Sequence, residues 1–271
     1  METLLRQQGL EWVRTITESP SSGRGLYQVK QSALGLVYSL KRVPIVRGQE
    51  NVVRHEVTAI NRLPFGVAPH CHRLIEHGGN AYLLLDWIDG PTLAELFKVP
   101  VADRDDLIRR LRVLSLIAAR LSRVHAAGLT HRDIKPDNVI VSDNPSNPKE
   151  VHLVDFGLSV QDRLFEEGTA GYRAPEQEMH RGMNISKATD VFGVGQTGWY
   201  LLTASPYLRT PNERYDDWAP SAQPFLPSFV PKTFVDVLLK ATAFNPKARF
   251  ASAMDLVRSL APIINNTGRP R

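Results

Sequence analysis

A chain of 271 residues, 42% of them hydrophobic, is long enough to bury one sizeable core or two modest ones. Its formal charge of +5 is scattered, with no block of ~5–6 like charges, which argues against nucleic acid and membrane surfaces as partners. The single cysteine, Cys71, excludes an intramolecular disulfide and fits a reducing compartment, so the cytoplasm is expected; METLLRQQGLEW at the start lacks a signal-peptide pattern, and no apolar run approaches the ~18 residues of a membrane span.

The first third reads as strands around one helix. LEWVRTI (10–16) is strand-like, LYQVK (26–30) and LVYSLKRV (36–43) pair as a hairpin through QSALG (31–35), and NAYLLLDWI (80–88) is another apolar strand. Strand alternation puts Val37, Ser39 and Lys41 on one face, with a small residue beside the lysine. ENVVRHEVTAINRL (50–63) predicts a helix whose Val52, Val53, Val57, Ile60 and Leu63 recur at helical spacing, leaving Glu56 on or beside the buried stripe. In ESPSSGRGLYQVK (18–30) a loop rich in Ser and Gly enters a strand, and the loop after Ile16 is expected to be long.

After DGPT (89–92) the pattern becomes helical. Residues 105–127 carry Leu107, Leu111, Leu114, Leu116, Ile117, Leu121 and Val124, the stripe of a long buried helix. NVIV (138–141) and VHLV (151–154) flank the polar turn DNPSNPK (143–149) and predict a small hairpin. DVFGVGQTGWYLL (190–202), TFVDVLLKATA (233–243) and ASAMDLVRSLAPII (251–264) read as helices, with prolines in the connections.

The chemistry concentrates in THRDIKPDNVIV (130–141) and LVDFGLS (153–159). Moving a phosphoryl group needs oxygen ligands for Mg²⁺, a carboxylate near the incoming hydroxyl, and cations that offset phosphate charge. Asp133, Lys135, Asn138 and Asp155 supply those types. HRD or DFG alone is a weak signal, whereas both in this order and separation form a specific one.

On these residues the chain resembles the eukaryotic-like, Hanks-type Ser/Thr protein kinase family over essentially its whole length. The resemblance implies an α+β, bilobal fold: a small antiparallel β-sheet N-lobe with one main helix over 1–88, a larger, mainly helical C-lobe over 89–264, and a tail over 265–271. It implies that Asp133 orients and accepts the proton of a substrate hydroxyl, that Lys135 lies near the transferred phosphate, and that Asn138 and Asp155 hold the metal. YSLK (38–41) matches the third-strand motif, making Lys41 the partner of the α- and β-phosphates and Glu56 its ion-pair partner. GTAGYRAPE (168–176) matches the end of the activation segment, where Thr169 bonds with Asp133 and Lys135. Asp190 is implied to hold the catalytic loop by its backbone, and Arg249 in NPKARF to pair with Glu176.

LLLDWIDGPTL (83–93) is similar to the hinge between lobes, with Leu85 as gatekeeper, Asp86 and Ile88 offering backbone groups to adenine, and Thr92 near the ribose. The implied cofactors are ATP and Mg²⁺, with Mn²⁺ as an alternative, and the implied partner is a protein bearing Ser or Thr. Membership of a larger polypeptide is compatible with all of this.

The glycine pattern of the family fits 18–30 in two registers. If Gly23 and Gly25 are the first two glycines, Lys30 falls above the adenine, where an unpartnered charge is costly. If Gly25 is the third, Tyr27 and Val29 face the nucleotide and Lys30 faces solvent; this second register is preferred. Pro20 then has no N–H for a phosphate, Ser21, Ser22 and Gly23 are expected to present theirs, and weakened or adjustable ATP affinity follows. Gly23, Gly25 and Tyr27 thus join Ser39 and Lys41 as expected nucleotide contacts.

Arg132 calls for an anionic partner, and Glu166 or Glu167 is expected to supply one in place of a phosphothreonine. HCH (70–72) is a poor zinc site, because no second cysteine exists to complete a tetrahedral set. Two other readings stand beside the active kinase. One is a pseudokinase serving as a nucleotide-binding scaffold, which the poor glycine loop favours and the full set Lys41, Glu56, Asp133, Asn138 and Asp155 opposes. The other is a small-molecule kinase of the aminoglycoside or choline type, which Glu176 and Arg249 oppose.

Overall fold

The computed structural model describes residues 1–45, 50–142, 150–157, 168–178, 184–214 and 216–268. Contacts divide the chain into two compact units, Met1–Ile88 and Asp89–Arg271. No helix among the described residues is long and apolar enough to cross a membrane.

The first unit holds α1 (Glu2–Gln7), β1 (Leu10–Ser19), β2 (Arg24–Gln31), β3 (Val37–Pro44), α2 (Glu50–Arg62), β4 (Cys71–His77) and β5 (Asn80–Asp86). The strands form one antiparallel sheet in the order β1-β2-β3-β5-β4. Successive side chains point to opposite faces, and each face has its own core. One gathers Tyr27, Val29, Leu40, Tyr82 and Leu84 under Leu4 and Leu5 of α1. The other gathers Cys71, Ala81, Leu83 and Leu85 with Val53 and Val57 of α2. Fully burying an aliphatic or aromatic side chain contributes roughly 1.5–3 kcal/mol, so each cluster outweighs any single polar contact on its face.

Two features depart from the sequence reading. Helix α1 was not expected, because six residues are too few to show a period, yet Leu4 and Leu5 bury one face of the sheet. Strand β1 continues to Ser19 in place of the long loop expected after Ile16; register shifts between Trp12 and Arg14 and between Thr15 and Thr17 absorb the extra residues.

The second unit holds α3 (Leu93–Leu96), α4 (Arg104–Ala126), β6 (Val139–Val141), β7 (Val151–Leu153), α5 (Pro175–Glu178), α6 (Lys187–Thr203), α7 (Lys232–Ala241) and α8 (Ala253–Thr267). Leu107, Leu111, Leu114, Ile117, Leu121 and Val124 of α4 are buried, as the stripe predicted, whereas Leu116 is only half-buried, and α4 packs against α6 and α8. Asp103, Ser186 and Ser252 cap α4, α6 and α8 by accepting backbone N–H groups that the first helical turn leaves without partners. β6 and β7 form the expected hairpin; its polar turn (143–149) lies outside the described residues. Helix α8 runs to Thr267, three residues past 264, where the helical lobe was expected to end.

Candidate active site

In the first unit, Lys41 on β3 donates to Glu56 Oε1 on α2 at 2.8 Å. Both side chains are largely buried, and Glu56 occupies the helix stripe beside Val53 and Ile60. A lysine withdrawn from water beside a buried carboxylate is held in one direction, which suits a cation meant for a fixed anion.

Register decides which residues share the Lys41 face. Leu26 and Leu83 lie directly opposite Lys41 on the two neighbouring strands, and the adjacent row runs Arg14, Gln28, Ser39, Leu85. Directly opposed residues point to the same face, so Leu85 stands on the face that Ser39 and Lys41 share. Gln28 joins them unforeseen, with its side-chain oxygen accepting from Arg14 Nε at 2.8 Å.

The preferred glycine register is overturned for Tyr27 and Val29. Both lie on the opposite face, almost fully buried in the α1 cluster, because Tyr27 opposes Leu40 and Val29 opposes Tyr38. Gly25 has a packing reason: a Cβ there would strike the Tyr27 phenol. Gly23 sits at φ +65°, in the left-handed region that glycine reaches without strain.

Two of the three expected phosphate donors are turned inward: Gly23 N–H bonds Ser19 O at 2.9 Å, and Ser22 N–H points to Ser19 Oγ at 3.4 Å. Of the hinge residues, Asp86 donates its N–H to His70 O at 3.0 Å and accepts His70 N–H and the His72 ring on its carboxylate. That pairing gives the histidine pair a task at the end of β5.

In the second unit, the loop between α4 and β6 gathers the catalytic types. Pro136 opens the 3-10 turn Pro136–Asn138, where a missing N–H costs nothing. Asn138 Nδ2 donates to Asp133 O at 2.8 Å and to Asp133 Oδ2 at 3.0 Å. The Thr169 hydroxyl donates to Asp133 Oδ1 at 2.8 Å and accepts from Lys135 Nζ at 2.6 Å, while Lys135 Nζ lies 3.1 Å from Asp133 Oδ2. One hydroxyl therefore joins the carboxylate to the ammonium and uses both its donor and acceptor capacity.

The loop is fixed from beneath by Asp190 of α6. Its carboxylate accepts the N–H groups of His131 and Arg132 at 2.8 and 2.7 Å and lies 2.8 Å from His125 Nε2. Arg132 and Asp155 both adopt positive φ, +69° and +64°. For a non-glycine residue this costs on the order of 1–2 kcal/mol and persists only where the surroundings impose it.

Gln177, which the sequence did not single out, is one source of that constraint: its Nε2 donates to Arg132 O at 2.8 Å and its Oε1 accepts from Ala174 N–H. Nothing beyond its place after APE marks it in the sequence. Val154 N–H bonds Asn138 O at 3.0 Å, and the His131 and Phe156 rings lie 4.5 Å apart, so the strand end bearing Asp155 is tied to the catalytic loop.

Asn138 turns its amide nitrogen to Asp133, which points its oxygen end elsewhere, and Asp155 brings a carboxylate. Two oxygen ligands fit Mg²⁺, which keeps waters and takes substrate phosphates as further ligands. No group of three His, Cys, Asp or Glu side chains able to hold a metal occurs among the described residues. Thr92 caps α3 reciprocally with Glu95, and so has a structural task apart from any ribose. Glu166 and Glu167 lie outside the described residues.

A bilobal α+β domain with these constellations defines a protein kinase. The profile described as "Protein kinase domain" matches residues 22–259, and this chain belongs to that family as a Hanks-type Ser/Thr kinase domain. It is similar to "Serine/threonine-protein kinase PknL" of Mycobacterium tuberculosis, 31% identical over 232 residues, covering 80% of this chain and 55% of that protein. Similarity extends to "Serine/threonine-protein kinase PknF" of Mycobacterium tuberculosis, 28% identical over 271 residues with 90% and 56% covered. For "Serine/threonine-protein kinase PknD" of that species the identity is 30% over 260 residues, with 86% and 37% covered. The chain spans about half the length of the first two relatives.

Proposed function

We propose that the domain is a catalytically active Ser/Thr protein kinase, transferring the γ-phosphate of ATP to protein Ser/Thr hydroxyls with Mg²⁺, or Mn²⁺ in its place, in a cytoplasmic setting. The observation that carries this reading is the Asp133–Thr169–Lys135 triangle. It keeps a carboxylate, a hydroxyl and an ammonium within hydrogen-bonding distance of one another.

On this reading, Asp133 orients the incoming hydroxyl and takes its proton, Lys135 offsets charge on the transferring group, and Lys41, kept in line by Glu56, serves the α- and β-phosphates. Asn138 and Asp155 hold the metal, which supplies charge neutralisation at the phosphates. Leu85, Asp86 and Ile88 border the base, with Ser39 leaving it room.

The pseudokinase alternative draws support from the inward-turned donors of the 19–24 turn. Incubation with radiolabelled ATP, Mg²⁺ and a generic protein substrate separates the two, with Asp133→Asn as control. Label above the control supports the kinase; ATP binding without such label supports the scaffold.

A further inference from the structure

Lys41 and Arg42 are adjacent on β3 and therefore point to opposite faces, each meeting its own carboxylate. Arg42 Nη2 donates to Glu18 Oε1 at 2.8 Å, and Arg42 Nε donates to the Gly23 carbonyl at 2.9 Å. Tyr27 OH donates to the same Glu18 oxygen at 2.9 Å, and the Arg42 guanidinium lies 5.7 Å from the centre of the Tyr27 ring. Residues of β1, β2 and β3 are thus stitched together beside the turn at 19–24.

The geometry points to Arg42 as a positioning residue for the nucleotide loop, with Glu18 and Tyr27 as its supports. This rests on the ATP-binding reading above. Glycine at 23 leaves its peptide free to rotate. Arg42 removes that freedom by drawing the Gly23 oxygen to the face away from Lys41. An oxygen turned the other way repels phosphate, so the loop enters binding already oriented, and pre-organisation lowers what binding must order. The fork geometry matters: guanidinium reaches a carbonyl and a carboxylate together from two nitrogens, whereas an ammonium is a single centre. Gly25 belongs to the same device, because its missing Cβ lets the Tyr27 phenol reach Glu18.

The test compares Arg42→Ala, Arg42→Lys and Tyr27→Phe with the wild-type chain in steady-state ATP kinetics and in amide exchange of the nucleotide-free protein. Arg42→Ala is expected to raise KM for ATP about three- to tenfold with kcat nearly unchanged, Arg42→Lys to restore part of it, and Tyr27→Phe to give a smaller rise. Exchange is expected to quicken at 19–25 and not across the sheet. Unchanged KM, or equal quickening throughout the first unit, overturns the proposal. If Arg42→Ala does not fold, Tyr27→Phe decides by the same readouts. Should the wild-type chain fail to bind ATP, the functional reading falls, while exchange at 19–25 still decides the clamp.

Discussion

Arg249 grips both carboxylate oxygens of Glu176, Nη1 to Oε1 at 2.7 Å and Nη2 to Oε2 at 2.8 Å, with neither side chain accessible to solvent. Thr189 of α6 donates to Glu176 Oε1, and Arg249 also donates to the carbonyls of Ala188, Ala243 and Phe244. The pair joins the segment ending in APE to α6 and to the chain just before α8.

Removing one partner of such a pair leaves a buried charge without its counter-ion, at a cost of about 3–5 kcal/mol. Arg249→Met is therefore expected to lower the unfolding free energy by that order in urea titration. The double variant Arg249→Met/Glu176→Leu is expected to recover part of the loss, because no lone charge remains. Equal stability of Arg249→Met and wild type is the contrary outcome.

Lys41→Met is expected to reduce phosphoryl transfer by on the order of 10²–10³ by deleting a held cation, and also to lower stability, because it strands the buried Glu56 carboxylate. Glu56→Gln keeps a hydrogen-bond acceptor for Lys41 but removes the charge, so a smaller loss is expected. Kinetics with circular dichroism as a fold control checks both.

The Thr169 hydroxyl links Asp133 to Lys135. Thr169→Ala is expected to lower kcat about ten- to a hundredfold, the range for losing hydrogen bonds to charged groups. Thr169→Ser, which keeps the hydroxyl, is expected to stay close to wild type. Equal losses in the two variants point to the methyl group instead.

Burial pushes the Cys71 thiol from its ordinary 9.0 up to about 11. A raised pKa means that the folded state holds its proton longer than the unfolded chain. This contribution to stability is complete below pH ~9 and is lost as pH rises towards ~11. Slow alkylation of the folded protein at pH 8 is expected, and Cys71→Ala is expected to flatten the decline in stability above pH ~9.

Much of this was legible in residue types at fixed separations: Asp133, Lys135, Asn138, Asp155, Thr169, Asp190, Glu176 and Arg249 all sit in short motifs. The Lys41–Glu56 pair was implied by the resemblance of YSLK to the family's third-strand motif, and the strand and helix periods agreed with it. Misreading began at 18–30, where period two gives alternation but not which face is which. That choice is set by pairing to β3, and the bulges of β1 that shorten the loop leave no mark in composition. Tyr27 reads as a nucleotide contact until Leu4 and Leu5 of α1 cover its face. Arg42 and Gln177 were missed for a similar reason: their partners, Glu18 with Gly23 and Arg132, are distant in sequence.

The most direct measurement is phosphoamino-acid identification by mass spectrometry on a protein substrate after incubation with Mg-ATP, for wild type and Asp133→Asn side by side. Phosphoserine or phosphothreonine with the wild-type chain, and neither with Asp133→Asn, is the predicted result. Nucleotide binding by both proteins with no phosphorylated residue from either contradicts it.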